Sequence, residues 1–416
     1  MANSVLTYGL IAKRAVQVLE NNLVMANQVF RGYEEEYNRD VNGYKPGATI
    51  TIRRPAEFAV NDGRVATIQD ASEGSTTITV NKQKNVAMNF TSRDMTLDIT
   101  DFSQRFIEPA MIQLAQQVDA DCAAMVGDIP NWVGTPGNTL SNFDSFAAAV
   151  QRMDDTAVPM TDERYAILTP KDARGIQANL TGPTSLFAPE LVKDVFTKGM
   201  LPPIDGVKPY KGQNYYIQST GTRTNGTLNG GTLSTTWDAS KDTNTITFTM
   251  ASVGNNATIK KGEVFTLSGV YDVNPRSGAA LPYLKQFTVT ADVVADGSGN
   301  ATVTASPALI PVGTAGVHWN ASAAPASNAV VTWLGSASST YSTNCVFNKN
   351  AFALVMVPLE RPVGGLAEVA RASHKGISVR ICSFWDGYND NNIHRLDILY
   401  GTKTIDPRQA VRLSGA

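Results

Sequence analysis

Reactive residue types are scarce along this 416-residue chain, and their spacing argues against catalysis. Three histidines occur, His318, His374 and His394, and none stands four residues from another, the spacing a metal-binding helix uses. Cys122, Cys345 and Cys382 lie far apart, without the close pairs of zinc sites or disulfide frameworks. Cys122 falls on an apolar stripe with no basic or histidine residue near it in sequence, so it reads as a small buried hydrophobe and not as a nucleophile. Carboxylate groups such as Asp154-Asp155 and Glu34-Glu35-Glu36 have no identifiable partner and fit a solvated face. The run "DGYNDNN", Asp386 to Asn392, crowds oxygen ligands that suit calcium, but it lacks EF-hand spacing and reads as a surface turn. Phosphate loops, dinucleotide fingerprints and nucleophile elbows are missing from the sequence. No catalytic, cofactor-binding or metal-binding residue is assigned.

Four basic residues, Arg53, Arg54, Lys82 and Lys84, call for another explanation. Binding phosphates would require aromatic or further basic company, which their segment lacks. Guarding exposed strand edges, or meeting an acidic patch on another protein chain, suits them better, so they are the candidate inter-subunit contacts.

The elements that carry them follow from periodicity. Apolar residues three or four apart predict a helix over Leu10 to Tyr37. Alternation of Ile50 and Ile52, and of Ile78 and Val80, with threonines predicts a two-stranded ribbon over Ala48 to Phe90. Pro55 implies an unpaired edge in it, and Asn61-Asp62-Gly63 and Ser72-Glu73-Gly74-Ser75 are turn signals. A ribbon of two strands is marginal alone, so it must rest on something else. From Asp101 the period becomes helical, with Met111, Leu114, Ala115, Val118, Cys122 and Met125 on one face and Gly127 at the stop. Helices and strands then mix over residues 141–222, an α+β pattern. Between about Thr222 and Thr343 the chain is rich in Thr, Ser, Gly, Ala and Asn, and Gly297 to Asn348 carries no Asp, Glu, Lys or Arg. Short strands such as "TITFTM", "EVFTLSGV", "QFTVTADVV" and "AVVTWLG" recur there, which predicts an inserted all-β domain.

Composition bounds the partners. Hydrophobic residues at 43% and charged residues at 17% give a chain able to fold, and a net charge of −2 gives no bulk attraction to nucleic acid or acidic lipid. No window reaches the 18 apolar residues of a membrane helix, so no membrane partner is expected.

The order of these parts resembles the major capsid proteins of tailed bacteriophages, with the HK97-like fold. The inserted β domain makes it similar to the coat proteins of the Salmonella podovirus group, whose body is interrupted by a six-stranded β-barrel. The likeness is carried by "KKGEVFTLSGVYDVNPRSGAALPYLKQFTV" (Lys260 to Val289), "FIEPAMIQLAQQVDADCAAMVG" and "RICSFWDGYND" with "RLDILYGTKTIDPRQAVRL", and spans essentially the whole chain. It implies an α+β capsid fold divided into an N-terminal helical arm (1–47), an extended β-hairpin loop (48–92), a peripheral domain with a spine helix (93–140), an axial domain (141–222 and 344–368) around the inserted barrel (223–343), and C-terminal peripheral strands (369–416). It further implies hexamers and pentamers of this chain, a portal protein, and enclosed double-stranded DNA held without sequence-specific binding. Only about 47 residues precede the ribbon, so a separate scaffolding protein is expected, with assembly in the host cytoplasm. The rival readings are a β-rich surface-layer or adhesin-type protein, suggested by the uncharged segment, and a hydrolase with scattered residues.

Overall fold

The computed structural model describes residues 8–34, 47–53, 64, 68, 75–91, 103–180, 193, 195, 197–230, 245–313, 319–362, 367–374 and 376–416. Arg54, Pro55, both ribbon turn signals, Glu35, Glu36 and His318 lie outside them. The chain divides into two compact units, one of Met1–Ile50, Thr77–Ala123 and Phe352–Lys403, the other of Thr51–Thr76, Ala124–Ala351 and Thr404–Ala416.

In chain order the strands are β1 (Thr49–Arg53), β2 (Ser75–Thr79), β3 (Lys82–Thr91), β4 (Trp132–Val133), β5 (Arg164–Leu168), β6 (Val207–Lys211), β7 (Tyr216–Ser219), β8 (Gly226–Leu228), β9 (Ile246–Ala251), β10 (Thr258–Ile259), β11 (Val264–Val273), β12 (Ala280–Val289), β13 (Val293–Val294), β14 (Ala301–Ser306), β15 (Val330–Trp333), β16 (Thr340–Asn348), β17 (Phe352–Met356), β18 (Ala367–His374), β19 (Ile377–Asp386), β20 (Asn391–Thr404) and β21 (Ala410–Leu413).

The first unit is a helix pair on a sheet. Its arm helix, Tyr8–Asn22, buries Ala12, Ala15, Val16 and Leu19 and packs on the long helix Glu108–Ala123 and on β18 and β19. Met111, Leu114, Ala115, Val118 and Cys122 of the long helix are buried, the stripe that periodicity picks out. The sheet runs β17-β20-β19-β18, with β3 antiparallel to β20 from Thr91 opposite Asn391 to Lys82 opposite Tyr400.

Two expectations fail here. The arm helix stops at Asn22 and does not run to Tyr37, because the buried Asp119 carboxylate accepts the Val24 and Ala26 amides that a continuing helix would turn inward. Phe30 then bridges to Ala353 of β17. The ribbon is also shorter than the alternation implies. Among the described residues only β1 and β2 pair in it, burying Ile52, Thr76 and Ile78, while β3, with Lys82 and Lys84, belongs to the sheet of β20.

The second unit holds a mixed sheet and a barrel. Strands run β4-β21-β16-β5-β6, with β7 also on β16, and the helices Phe143–Asp155 and Pro170–Leu180 close a core around Phe146, Met153, Leu168, Ile176, Val346 and Val411. Asn142 caps the first of these helices by accepting the Ser145 amide at 2.9 Å. The barrel closes in the order β11-β12-β14-β9-β8-β15. Its interior is filled by Phe248, Phe265, Phe287 and Trp333, whose rings sit 5.1–5.7 Å apart, so it is a packed core and not a ligand cavity.

Domain boundaries move accordingly. The barrel strands span Gly226 to Trp333, and β16 starts at Thr340, inside the span expected for the insertion, because it hydrogen-bonds β5, β7 and β21 of the mixed sheet. "QFTVTADVV" is two strands, since β13 leaves the barrel to pair with β10. β17 joins the sheet of the first unit and β21 the sheet of the second, so neither 344–368 nor 369–416 is a single piece.

Candidate assembly surfaces and the barrel joint

The four basic residues do not act alike. Arg53 ends β1 and is exposed, and Arg54 lies outside the described residues. Lys82 is turned into its own chain: its ammonium lies 3.2 Å from Asp121 of the long helix and donates to Thr402 at 3.1 Å. Tyr400 donates to the same Asp121 carboxylate at 2.7 Å. That ammonium fastens β3 to the long helix and β20 and is not a free contact for a neighbour. Lys84 lies two residues along the same half-buried face of β3.

Large apolar side chains are exposed at several places, Met160, Met200 and Val294 among them, and the two most exposed, Ile68 and Tyr388, mark two further candidate surfaces. Within the connection from β1 to β2, Ile68 is 94% exposed and Arg64 is exposed as well. At the turn between β19 and β20, Trp385 is 62% and Tyr388 95% exposed, with Phe384 beside them. Asp386 holds this turn by accepting the Tyr388 amide at 3.1 Å and the Asn389 side chain at 2.8 Å, and these bonds push its carboxyl below its ordinary range. Asp390 accepts the Trp385 indole at 3.2 Å. The oxygen atoms that suggested calcium thus shape the turn, and no metal-holding group of His, Cys, Asp or Glu occurs among the described residues. Sequence reading singled out the carboxylates of this stretch and passed over its aromatics, whose signal was present in "SFWDGY".

Two histidines, His374 and His394, have partners, and the cysteines are buried. His394 and Ser383, opposite each other across β19 and β20, bond at 2.7 Å, and burial lowers the imidazole pKa. His374 lies 3.6 Å from Glu20. All three cysteines are buried, and burial pushes each thiol up, away from the reactive thiolate.

The barrel meets the mixed sheet and its helix Phe143–Asp155 through buried and half-buried polar groups, three of them, Tyr283, Lys285 and Gln286, on β12. Asp272 receives Arg152 at 3.3 Å and Lys285 at 2.9 Å. The Arg152 guanidinium lies 3.3 Å over the Tyr283 ring, and Tyr283 donates to Asp155 at 3.2 Å. Gln286 imitates a strand: its carboxamide accepts the Trp132 amide at 2.7 Å and donates to the Trp132 carbonyl at 2.9 Å, covering the edge strand β4. Arg412 of β21 is wholly buried and donates to the carbonyls of Gly127 at 2.6 Å and Gly262 at 2.7 Å, with the Trp132 ring 5.3 Å away. Burial pushes its guanidinium down to about 10, because no carboxylate lies within ion-pair distance among the described residues. At the neck, Glu263 takes Arg223 at 2.5 Å and the Gly221 and Lys260 amides, while Arg223 reaches the Leu334 and Gly335 carbonyls, tying the chain entering the barrel to the chain leaving it. Long-range pairings among these, Arg412 with Gly127 and Gly262, Gln286 with Trp132 and Arg152 with Asp272, carry no sequence signal, since their partners are more than a hundred residues away along the chain.

Comparison with known proteins gives one family over nearly the whole length: the model described as "P22 coat protein - gene protein 5" matches residues 1–415. No curated protein matches. Among solved structures the chain is similar to one described as Mycobacterium phage Che8, at 12% identity and TM-score 0.49, covering 95% of this chain and 92% of that one. It is also similar to the capsid of Ralstonia phage GP4, at 9% identity and TM-score 0.45 over 94% and 87%, and to the capsid structure of the Cyanophage P-SCSP1u, at 11% and 0.43 over 89% and 84%. All three scores lie below 0.5, so the assignment rests on the family model.

Proposed function

The chain belongs to the P22 coat protein family, and on that premise we propose that its ribbon tip and its aromatic turn are the surfaces through which copies of it join. It is a structural protein, the major capsid protein that forms the shell of a tailed phage. This removes the surface-layer and hydrolase readings. The observation that supports the proposed surfaces is the exposure of Ile68 at 94% and Tyr388 at 95%, the two most exposed large apolar side chains among the described residues. Ribbon strands β1 and β2 bury their base within their own chain, so what a neighbour covers is the connection beyond Arg53. Repetition of such a contact about closed symmetry axes, in hexamers and pentamers, multiplies a modest interface into a shell.

A separate scaffolding protein, a portal and enclosed double-stranded DNA complete this reading, with assembly in the host cytoplasm. A net charge of −2 suits a shell that holds its genome without gripping it, because each phosphate contact would add salt-dependent affinity that resists release. The test replaces Arg53 and Arg54 together with glutamate. Soluble chain with an unchanged circular-dichroism spectrum and few particles by sedimentation and electron microscopy is the expected result. Normal particle yield would remove those charges from the interface.

A further inference from the structure

Residues 24–34, between the end of the arm helix and the next stretch of chain, are held at both ends by carboxylates. At one end Asp119, 2% exposed on the long helix, accepts the amides of Val24 at 2.7 Å and Ala26 at 3.0 Å. At the other, Glu34 accepts the Met356 amide and lies against the bare backbone of Gly376, whose φ of +78° favours glycine. Between them Phe30 exchanges two backbone bonds of 3.0 Å with β17, to Phe352 and from Leu354. Among the described residues no cation lies within ion-pair distance of Asp119.

We propose that residues 24–34 are a proton-responsive strap, which fastens the N-terminal arm more firmly to its own body as the medium acidifies and slackens as it turns neutral or alkaline. The charged groups around each carboxylate set the direction. The buried thiol of Cys122, one turn along the same helix from Asp119, is faced by Asp119 and Asp121 of that helix, Arg31 of the strap and Lys82 of β3, and Lys82 and Tyr400 of β20 are committed to Asp121. Glu20 of the arm helix faces His374 of β18. Near Glu34 stand Arg31 and the half-buried phenol of Tyr33. Burial outweighs the amide bonds at Asp119, raising its carboxyl to about 6, and outweighs Arg31 and the Met356 amide at Glu34, raising it to about 7. Both groups therefore bind a proton more tightly in the closed strap than in the open one. Closure strengthens as pH falls through about 7 and then about 6, and the gain is lost again above neutrality.

Hydrogen exchange with mass spectrometry on the full chain reads this directly, once intrinsic exchange rates at each pH are divided out. Between pH 8 and pH 5, protection of peptides within residues 24–34 should rise by up to about a thousandfold, because below its raised value each carboxyl gains a factor of ten for each step of one in pH: about a hundredfold from Glu34, raised to about 7, and about tenfold from Asp119, raised to about 6. Peptides from β11 of the barrel serve as the flat reference. The double variant Asp119→Asn, Glu34→Gln should lose the pH slope in the strap alone. If it does not fold, Glu34→Gln by itself should remove the part of the slope near pH 7. Protection in the unaltered chain that does not vary with pH, or a slope that survives these substitutions, overturns the proposal.

Discussion

Replacing Arg412 with alanine should loosen the barrel from the body that carries it. The side chain is completely buried and its guanidinium satisfies two backbone carbonyls, of Gly127 at 2.6 Å and Gly262 at 2.7 Å, with Thr288 Oγ1 at 3.2 Å. The Gly262 carbonyl, left without a donor, costs about 1–3 kcal/mol, ~2 kcal/mol as a central value, whereas the Gly127 carbonyl keeps the Thr288 hydroxyl at 3.2 Å. Truncating so long a side chain leaves a cavity worth about 2 kcal/mol more. Against this stands relief from holding a cation away from water: a guanidinium pushed from 12.5 down to about 10 corresponds to roughly 3 kcal/mol. The net loss is about 1 kcal/mol, which for a unit of this size lowers the melting temperature by roughly 2–4 °C. Thermal unfolding followed by circular dichroism gives the first reading. Limited proteolysis near residues 222 and 336 gives the second, because the loss falls on the contact between barrel and mixed sheet and not on either core. Arg412→Lys should recover only part of the loss, as a point charge on a flexible stem does not reproduce the fork that meets both carbonyls. An alanine variant that melts and resists protease like the unaltered chain would refute the reasoning.

Further predictions concern the barrel and the aromatic turn. Residues 223–338, ending before β16, should fold alone into a β domain, because the closed barrel satisfies its own ladder and core; a random-coil spectrum would contradict this. Converting Trp385 and Tyr388 together to alanine should leave stability within about 0.5 kcal/mol, as surface substitutions do, while reducing particle yield in an assembly assay. Equal yields from variant and parent would place that turn outside the contacts.

Much of the architecture was legible because local patterns happened to agree with distant partners. "TITFTM" alternates and is β9, with Ile246, Phe248 and Met250 facing the barrel core, and the stripe from Met111 to Cys122 is the buried face of the long helix. The failures have a common cause. Lys82 to Thr91 alternates as the ribbon does, and only its pairing with β20, some 300 residues later in the chain, makes it part of a sheet. The arm helix kept a helical pattern past Asn22, yet a single carboxylate on another helix captured the next amides. Charges at the barrel joint were invisible for the same reason: Arg412 meets Gly127 and Gly262, and Arg152 meets Asp272, through the fold alone. Periodicity reports which face a residue turns inward, and says nothing of which residue waits there.

Electron microscopy of the native material, with its particle mass determined alongside, bears most directly on the central claim that copies of this chain cover one another's exposed tips. The account predicts closed polyhedral shells built of many 44.6 kDa chains, with Ile68, Trp385 and Tyr388 buried at contacts between neighbours. A stable single chain of 44.6 kDa at assembly concentrations, or shells in which those side chains face solvent, would contradict it.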